Sequence, residues 1–184
     1  MAIDHGYIDL ATKSESYEIC FVPDNDYRGF LRRKVEGLEK KVDGGDFVDR
    51  TGRVLGKHKG YPFYTIGQRK GLEIAVGEPL HVLEIVPETN TVVLGSKEDL
   101  EQQKMTVGKF NLIKYAELPS NYEALTKIRY KDPGTAASIS QINDKLEVLF
   151  HSPVSAIAPG QSAVFYEGDD LVGGGIIERQ FTIL

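Results

Sequence analysis

The chain has 184 residues, 41 % of them hydrophobic and 9 % aromatic, a formal net charge of −5 and one cysteine. This bounds it to one or two globular domains, and the lone cysteine excludes an internal disulfide framework and points to a reducing compartment. No apolar run approaches the ~18 residues of a membrane span, and Met1–Gly6 lacks the basic and apolar regions of a secretory leader, so a cytoplasmic location is expected.

Residues 2–12 read as the tail of a helix, with a partial apolar face from Ile3, Tyr7, Ile8 and Leu10. So short a helical piece suggests a chain that begins inside a larger protein. Next comes Lys13–Pro23, which holds the cysteine. Ile19, Phe21 and Val22 around Cys20 suggest an extended segment that Pro23 closes. A lone intracellular cysteine is commonly a small buried hydrophobe. It becomes a nucleophile only when cations or a helix N-terminus depress its pKa. Lys13, Arg28, Arg32 and Arg33 are the local cations.

Asp24-Asn25-Asp26 offers N-caps for a helix from about Tyr27 to Val35, ending near Gly37, with Phe30, Leu31 and Val35 able to face a core. From Gly44 the period becomes two. Gly44–Asp49 and Thr51–Gly56 read as a hairpin turning at Arg50-Thr51-Gly52. Tyr61–Ile66 is an aromatic, β-branched run, followed by the turn-prone Gly67–Gly71. A second hairpin joins Pro79–Val86 to Thr91–Leu94 across Pro87–Asn90. Ser96–Leu100 looks like a capped turn and a hinge, with Asp99 three residues after Ser96.

Six short strands follow: Met105–Ile113, Tyr122–Tyr130, Ala136–Asn143, Lys145–Phe150, Gln161–Glu167 and Leu171–Arg179. With no helical segment between them they favour a small closed barrel. Gly173-Gly174-Gly175 within the last suggests a bulge or a close backbone approach. The expected organisation is mainly β: a segment 1–23 carrying the cysteine, a β-rich module 24–102 with one short helix, and a six-stranded barrel 103–184.

Between Arg50 and Leu72 lie Arg50, Arg53, Lys57, Lys59, Arg69 and Lys70 and no acid, so the stretch stands at +6 within a chain at −5. Such a stripe can localise a polyanion, or it can be a solvated loop. Gly52–His58 superficially suggests a phosphate loop, but its glycine spacing is one residue short and it lacks the Ser/Thr that would hold magnesium. Four scattered histidines and one cysteine give no metal-ligand spacing, and no metal is expected.

The motif S-x-S-x-x-I-C-F before a proline resembles the second cysteine motif of bacterial tRNA-specific 2-thiouridylases, the MnmA/TrmU family. Further blocks occur in the family's order: Gly56–Gly60, Tyr64–Gly71, Arg129-Tyr130, Pro159–Tyr166 and Gly173–Ile177. The resemblance implies a tRNA-uridine 2-sulfurtransferase in which Cys20 carries a persulfide and delivers its sulfur to the wobble uridine. It also implies tRNA contacts at Arg129, Tyr130 and Gln161, to which charge alone adds Lys57, Lys59 and Arg69, with His58 and Gln68 either contacting RNA or fixing loops.

The family's S-G-G-x-D-S nucleotide loop and its first catalytic cysteine are absent from this sequence. The resemblance therefore implies a C-terminal portion, inactive alone, with ATP bound by a domain that is not here. Implied partners are tRNA and a sulfur donor, either a cysteine desulfurase or a relay carrier. Two other readings stand beside it: an RNA-binding β-barrel with an inert cysteine, and a thiol redox protein, which the lack of a second cysteine weakens.

Overall fold

The computed structural model describes residue 22 and residues 26–179. It divides into two compact units, residues 1–41 and 42–184. The first contains helix α1 (Tyr27–Lys34). Asp26 caps it, its carboxylate accepting from Gly29 N at 2.8 Å, and Arg32, Arg33 and Lys34 oppose the dipole in the last turn. The expected inward face is weaker than its pattern suggested. Phe30 and Leu31 are half-buried and Val35 is exposed. A second helix, α2 (Leu38–Val42), follows Gly37, whose φ of +67° breaks the first.

In the second unit, β1 (Gly45–Val48), β2 (Val54–His58), β3 (His81–Val86) and β4 (Thr91–Gly95) form one sheet in the order β2-β1-β4-β3. Both expected hairpins are present, and β1 joins them by running parallel to β4, with Phe47 opposite Val92. Asp49 sets the first turn, accepting from Thr51 N, Thr51 Oγ1 and Arg53 N at 2.9, 2.6 and 3.1 Å. Phe47, Val82, Val92 and Leu94 are fully buried. Tyr61–Ile66 makes no strand. Pro62 sits in a 3-10 turn at Tyr61–Phe63, and the aromatic side chains serve packing instead, with Tyr64 edge-on to Phe47 at 5.1 Å.

The connection to the barrel is a 3-10 turn at Glu98–Leu100, capped reciprocally: Ser96 N donates to Asp99 Oδ2 at 2.9 Å and Asp99 N to Ser96 Oγ at 3.3 Å. Then come β5 (Glu101–Leu112), β6 (Tyr122–Lys127), β7 (Thr135–Ile142), β8 (Lys145–Ser155), β9 (Ser162–Glu167) and β10 (Asp170–Ile177). They close an antiparallel barrel in the order β10-β5-β8-β7-β6-β9. Alternation fills its interior, as in β8, where Leu146, Val148 and Phe150 point in and Lys145, Glu147 and Leu149 point out.

The glycine triplet in β10 behaves as both alternatives foresaw. The register shifts there against β5 and β9, and a Cβ on Gly173 would stand 2.5 Å from Asn111 O. A cleft of about 920 Å³ runs between the four-stranded sheet and the barrel, walled by Leu83 and Val93 on one side and Met105 and Ile157 on the other.

Candidate functional site

Cys20 lies outside the described residues. The other candidates fall on two surfaces, one on the sheet and one on the barrel.

On the sheet, β2 presents Lys57 and, just beyond it, Lys59 on either side of His58. The side chains alternate, so the lysines point out while His58 points in. His58 is 3 % exposed. Gly60 N donates to its Nδ1 at 3.0 Å, which leaves the proton on Nε2, 3.1 Å from Asn90 O. Burial pushes this imidazole below its ordinary pKa of 6.5, so it is neutral at pH 7 and structural. Gln68 is also a loop fixer: Thr65 N donates to its Oε1 at 3.1 Å, and its Nε2 donates to Lys70 O at 2.9 Å.

The basic stripe is not a bare cationic strip. Lys57 Nζ stands 2.8 Å from Asp46, Lys59 Nζ 2.9 Å from Glu73, Arg53 Nε 3.0 Å from Asp49, and Arg50 is paired with Asp99. All four acids come from outside the Arg50–Lys70 window or from its far side, which is why the linear sequence reads +6. Among the described residues, Arg69 and Lys70 have no carboxylate partner for their side chains and are exposed. Exposed pairs contribute roughly 0–1 kcal/mol, so Lys57 and Lys59 can exchange a carboxylate for a phosphate at little cost.

On the barrel, Arg129 and Tyr130 follow the end of β6, and Gln161 immediately precedes β9. The β6–β9 register, with Lys127 opposite Val164 and Leu125 opposite Tyr166, puts both sites at one end of the barrel. Asp132 shapes the loop, accepting from Ile128 N and Gly134 N at 3.0 and 2.9 Å, so that Arg129 is exposed and Tyr130 is 75 % exposed. Gln161 exchanges backbone hydrogen bonds with Ala158 and Ile177, and its side chain faces solvent. An arginine, a tyrosine and a glutamine at one rim are side chains of types that can pair with phosphate, stack on a base and hydrogen-bond a base edge.

Two clusters have no counterpart in the motif reading. At the opposite barrel end Glu167 Oε2 accepts from Tyr122 OH at 2.5 Å and Tyr115 OH at 2.7 Å and pairs with Lys114 at 3.1 Å. These donors hold its carboxyl at about 2. Arg179, just past β10, reaches Glu84 and Glu88 on the sheet. Each joins residues far apart in sequence, so no local pattern announces them.

Gly52–His58 is not built as a phosphate loop. In Gly52–His58, Gly52 occupies the hairpin turn at φ +84° and Gly56 lies in β2 opposite Phe47, so the amides pair with a strand and form no phosphate cradle.

Two family models match the chain. The "tRNA methyl transferase PRC-barrel domain" covers residues 30–96 and the "Aminomethyltransferase beta-barrel domain" residues 102–177. The curated tRNA-specific 2-thiouridylase MnmA of Cytophaga hutchinsonii is 57 % identical over 98 % of this chain and 50 % of its own length. Those of Amoebophilus asiaticus and Salinibacter ruber are 54 % and 51 % identical, over 98 % and 97 % of this chain and 48 % and 47 % of theirs. The chain thus spans about half the length of the curated relatives it matches. With two models matched in succession and more than half its residues shared with these relatives, the chain belongs to the tRNA-specific 2-thiouridylase family.

Proposed function

We propose that this chain is the C-terminal part of a cytoplasmic tRNA 2-thiouridylase, supplying the sulfur-relay cysteine and a tRNA-gripping surface. Its parts are the cysteine segment 1–23, the sheet module 24–102 and the barrel 103–184. The observation that carries the reading is identity of 57 % running over 182 residues to a curated 2-thiouridylase. The rim of Arg129, Tyr130 and Gln161 supports it independently, because it suits an unstacked nucleic acid.

Cys20 accepts a sulfane sulfur from a donor protein, forming a persulfide. The outer sulfur attacks C2 of an activated wobble uridine, and the oxygen substituent on C2 leaves. A second thiolate then attacks the Cys20 sulfur, so that the S–S bond breaks, the outer sulfur stays on C2, and a disulfide forms. This chain has no second cysteine, so that thiol comes from outside it. Activation of the uridine by ATP is assigned to no described residue.

Incubation with a cysteine desulfurase and free cysteine, followed by mass spectrometry, tests the assignment. One added sulfur on Cys20, absent in Cys20→Ser, is expected. A chain that stays unmodified under conditions that load a control acceptor would sink the relay role.

A further inference from the structure

The four-stranded sheet and the barrel share no strand. The chain passes between them through the turn Ser96–Leu100, where Asp99 is also held by Arg50, and Ala156 N donates to Leu100 O at 3.2 Å. A cleft of about 920 Å³ lies between the two bodies, so packing does not bond them along their whole facing length.

Arg179 spans this cleft. Its Nε and Nη2 donate to Glu84 Oε1 at 3.3 and 3.1 Å, and its Nη1 donates to Glu88 Oε2 at 2.8 Å. The side chains of Arg179 and Glu84 are only 25 % and 24 % exposed, so water screens this pair less than it screens the lysine pairs on β2. The guanidinium divides its fork between two carboxylates and fixes direction as well as distance.

Both ends of the contact are anchored. On the barrel, Glu178 N donates to Thr106 O at 2.8 Å and the Glu178 carboxylate pairs with Lys145 at 2.6 Å. On the sheet, Glu84 is in β3, and Glu88 is in the 3-10 turn Pro87–Thr89. The next residue, Asn90, donates its Nδ2 to Val42 O at 3.0 Å.

We propose that Arg179 is a positioning residue, a latch that sets the angle between barrel and sheet across the cleft, with Ser96–Leu100 as the hinge. When it is released the cleft opens and both sheets stay folded. One consequence, and only that one, rests on the tRNA reading above. Lys57 and Lys59 on the sheet and Arg129 and Tyr130 on the barrel engage one RNA together at the latched angle, so release removes the gain in effective concentration between them.

The test uses the full chain in a Cys20→Ser background with nitroxide labels on Val54→Cys in β2 and Ile142→Cys in β7, two exposed positions. Pulsed EPR should give a narrow distance distribution that broadens and shifts in Arg179→Ala and more so in Arg179→Glu. Combining Arg179→Glu with Glu84→Arg and Glu88→Arg should narrow it again. Unchanged distances in folded Arg179→Ala and Arg179→Glu, or no narrowing in the swap, overturn the latch.

If the substitutions prevent folding, a salt series on the labelled parent decides: broadening as salt rises supports the latch, and a constant width refutes it. tRNA affinity measured on the same proteins separates the two claims. Broadened distances with unchanged affinity defeat the RNA consequence and leave the latch standing.

Discussion

Lys57 on β2 and Asp46 on β1 are direct register partners, and their charged ends meet at 2.8 Å. The lysine therefore faces outward beside an acid that a bound polyanion would displace. In tRNA binding followed across a salt series, Lys57→Ala should flatten the log–log slope by about 0.7–0.9, the share of one phosphate contact. Asp46→Asn should leave the slope intact and tighten binding at low salt. A slope indifferent to Lys57 removes this residue from the RNA surface.

His58→Phe keeps the ring volume against Phe47 and Tyr64 but leaves Gly60 N–H without its partner and reduces Asn90 O to the bond it accepts from Asp46 N. The loss should be about 1–3 kcal/mol in urea unfolding at neutral pH. The folded His58 resists protonation, whereas the unfolded one takes a proton near 6.5. Its stabilisation is therefore complete above 6.5 and declines as pH falls below that value towards the lower folded pKa. The gap between parent and variant should narrow over that interval, and a gap that widens would show that the ring is charged in the fold.

At the far barrel end, Glu167→Gln exchanges a carboxylate for a weaker acceptor facing Tyr122, Tyr115 and Lys114. The folded carboxyl is depressed to about 2 from 4.5, so its stabilisation is present above 4.5 and is lost as pH falls towards 2. Thermal unfolding should separate the two proteins at neutral pH and bring them together in acid. Burial and then the Glu167 contact push the Tyr122 hydroxyl up, so ultraviolet titration should find it ionising at lower pH in the variant.

Gly173→Ala places a methyl 2.5 Å from Asn111 O in the neighbouring strand. Backbone cannot swing aside as a side chain can. The expected cost is about 1–3 kcal/mol from overpacking, read from the denaturant midpoint.

Period-two patterning made the barrel legible, because each strand is buried on one face and wet on the other, and the turns at Asn143-Asp144 and Gly168-Asp169 punctuate it. The hairpins of the sheet were legible from their turns. Their fusion through β1 and β4 was not, since the pairing of Phe47 with Val92 leaves no local mark. Tyr61–Ile66 was legible only as an aromatic, β-branched run: Phe63 and Tyr64 are buried without forming a strand, and Pro62 sits in a turn. The stripe's charge was visible while its neutralisation was not: Asp46, Glu73 and Asp99 reach it only through the fold. Cys20 rests on resemblance alone and lies outside the described residues.

The parallel contact between β1 and β4 has a bearing on synthesis. The opening hairpin leaves the ribosome with one side of its inner strand unsatisfied, and that side is completed only when β4 emerges after the entire intervening loop and β3. Until then Phe47, later wholly enclosed, faces water. A delay between the emergence of β2 and that of β4 would therefore prolong a sticky half-sheet, and a delay after Gly95 has emerged would not.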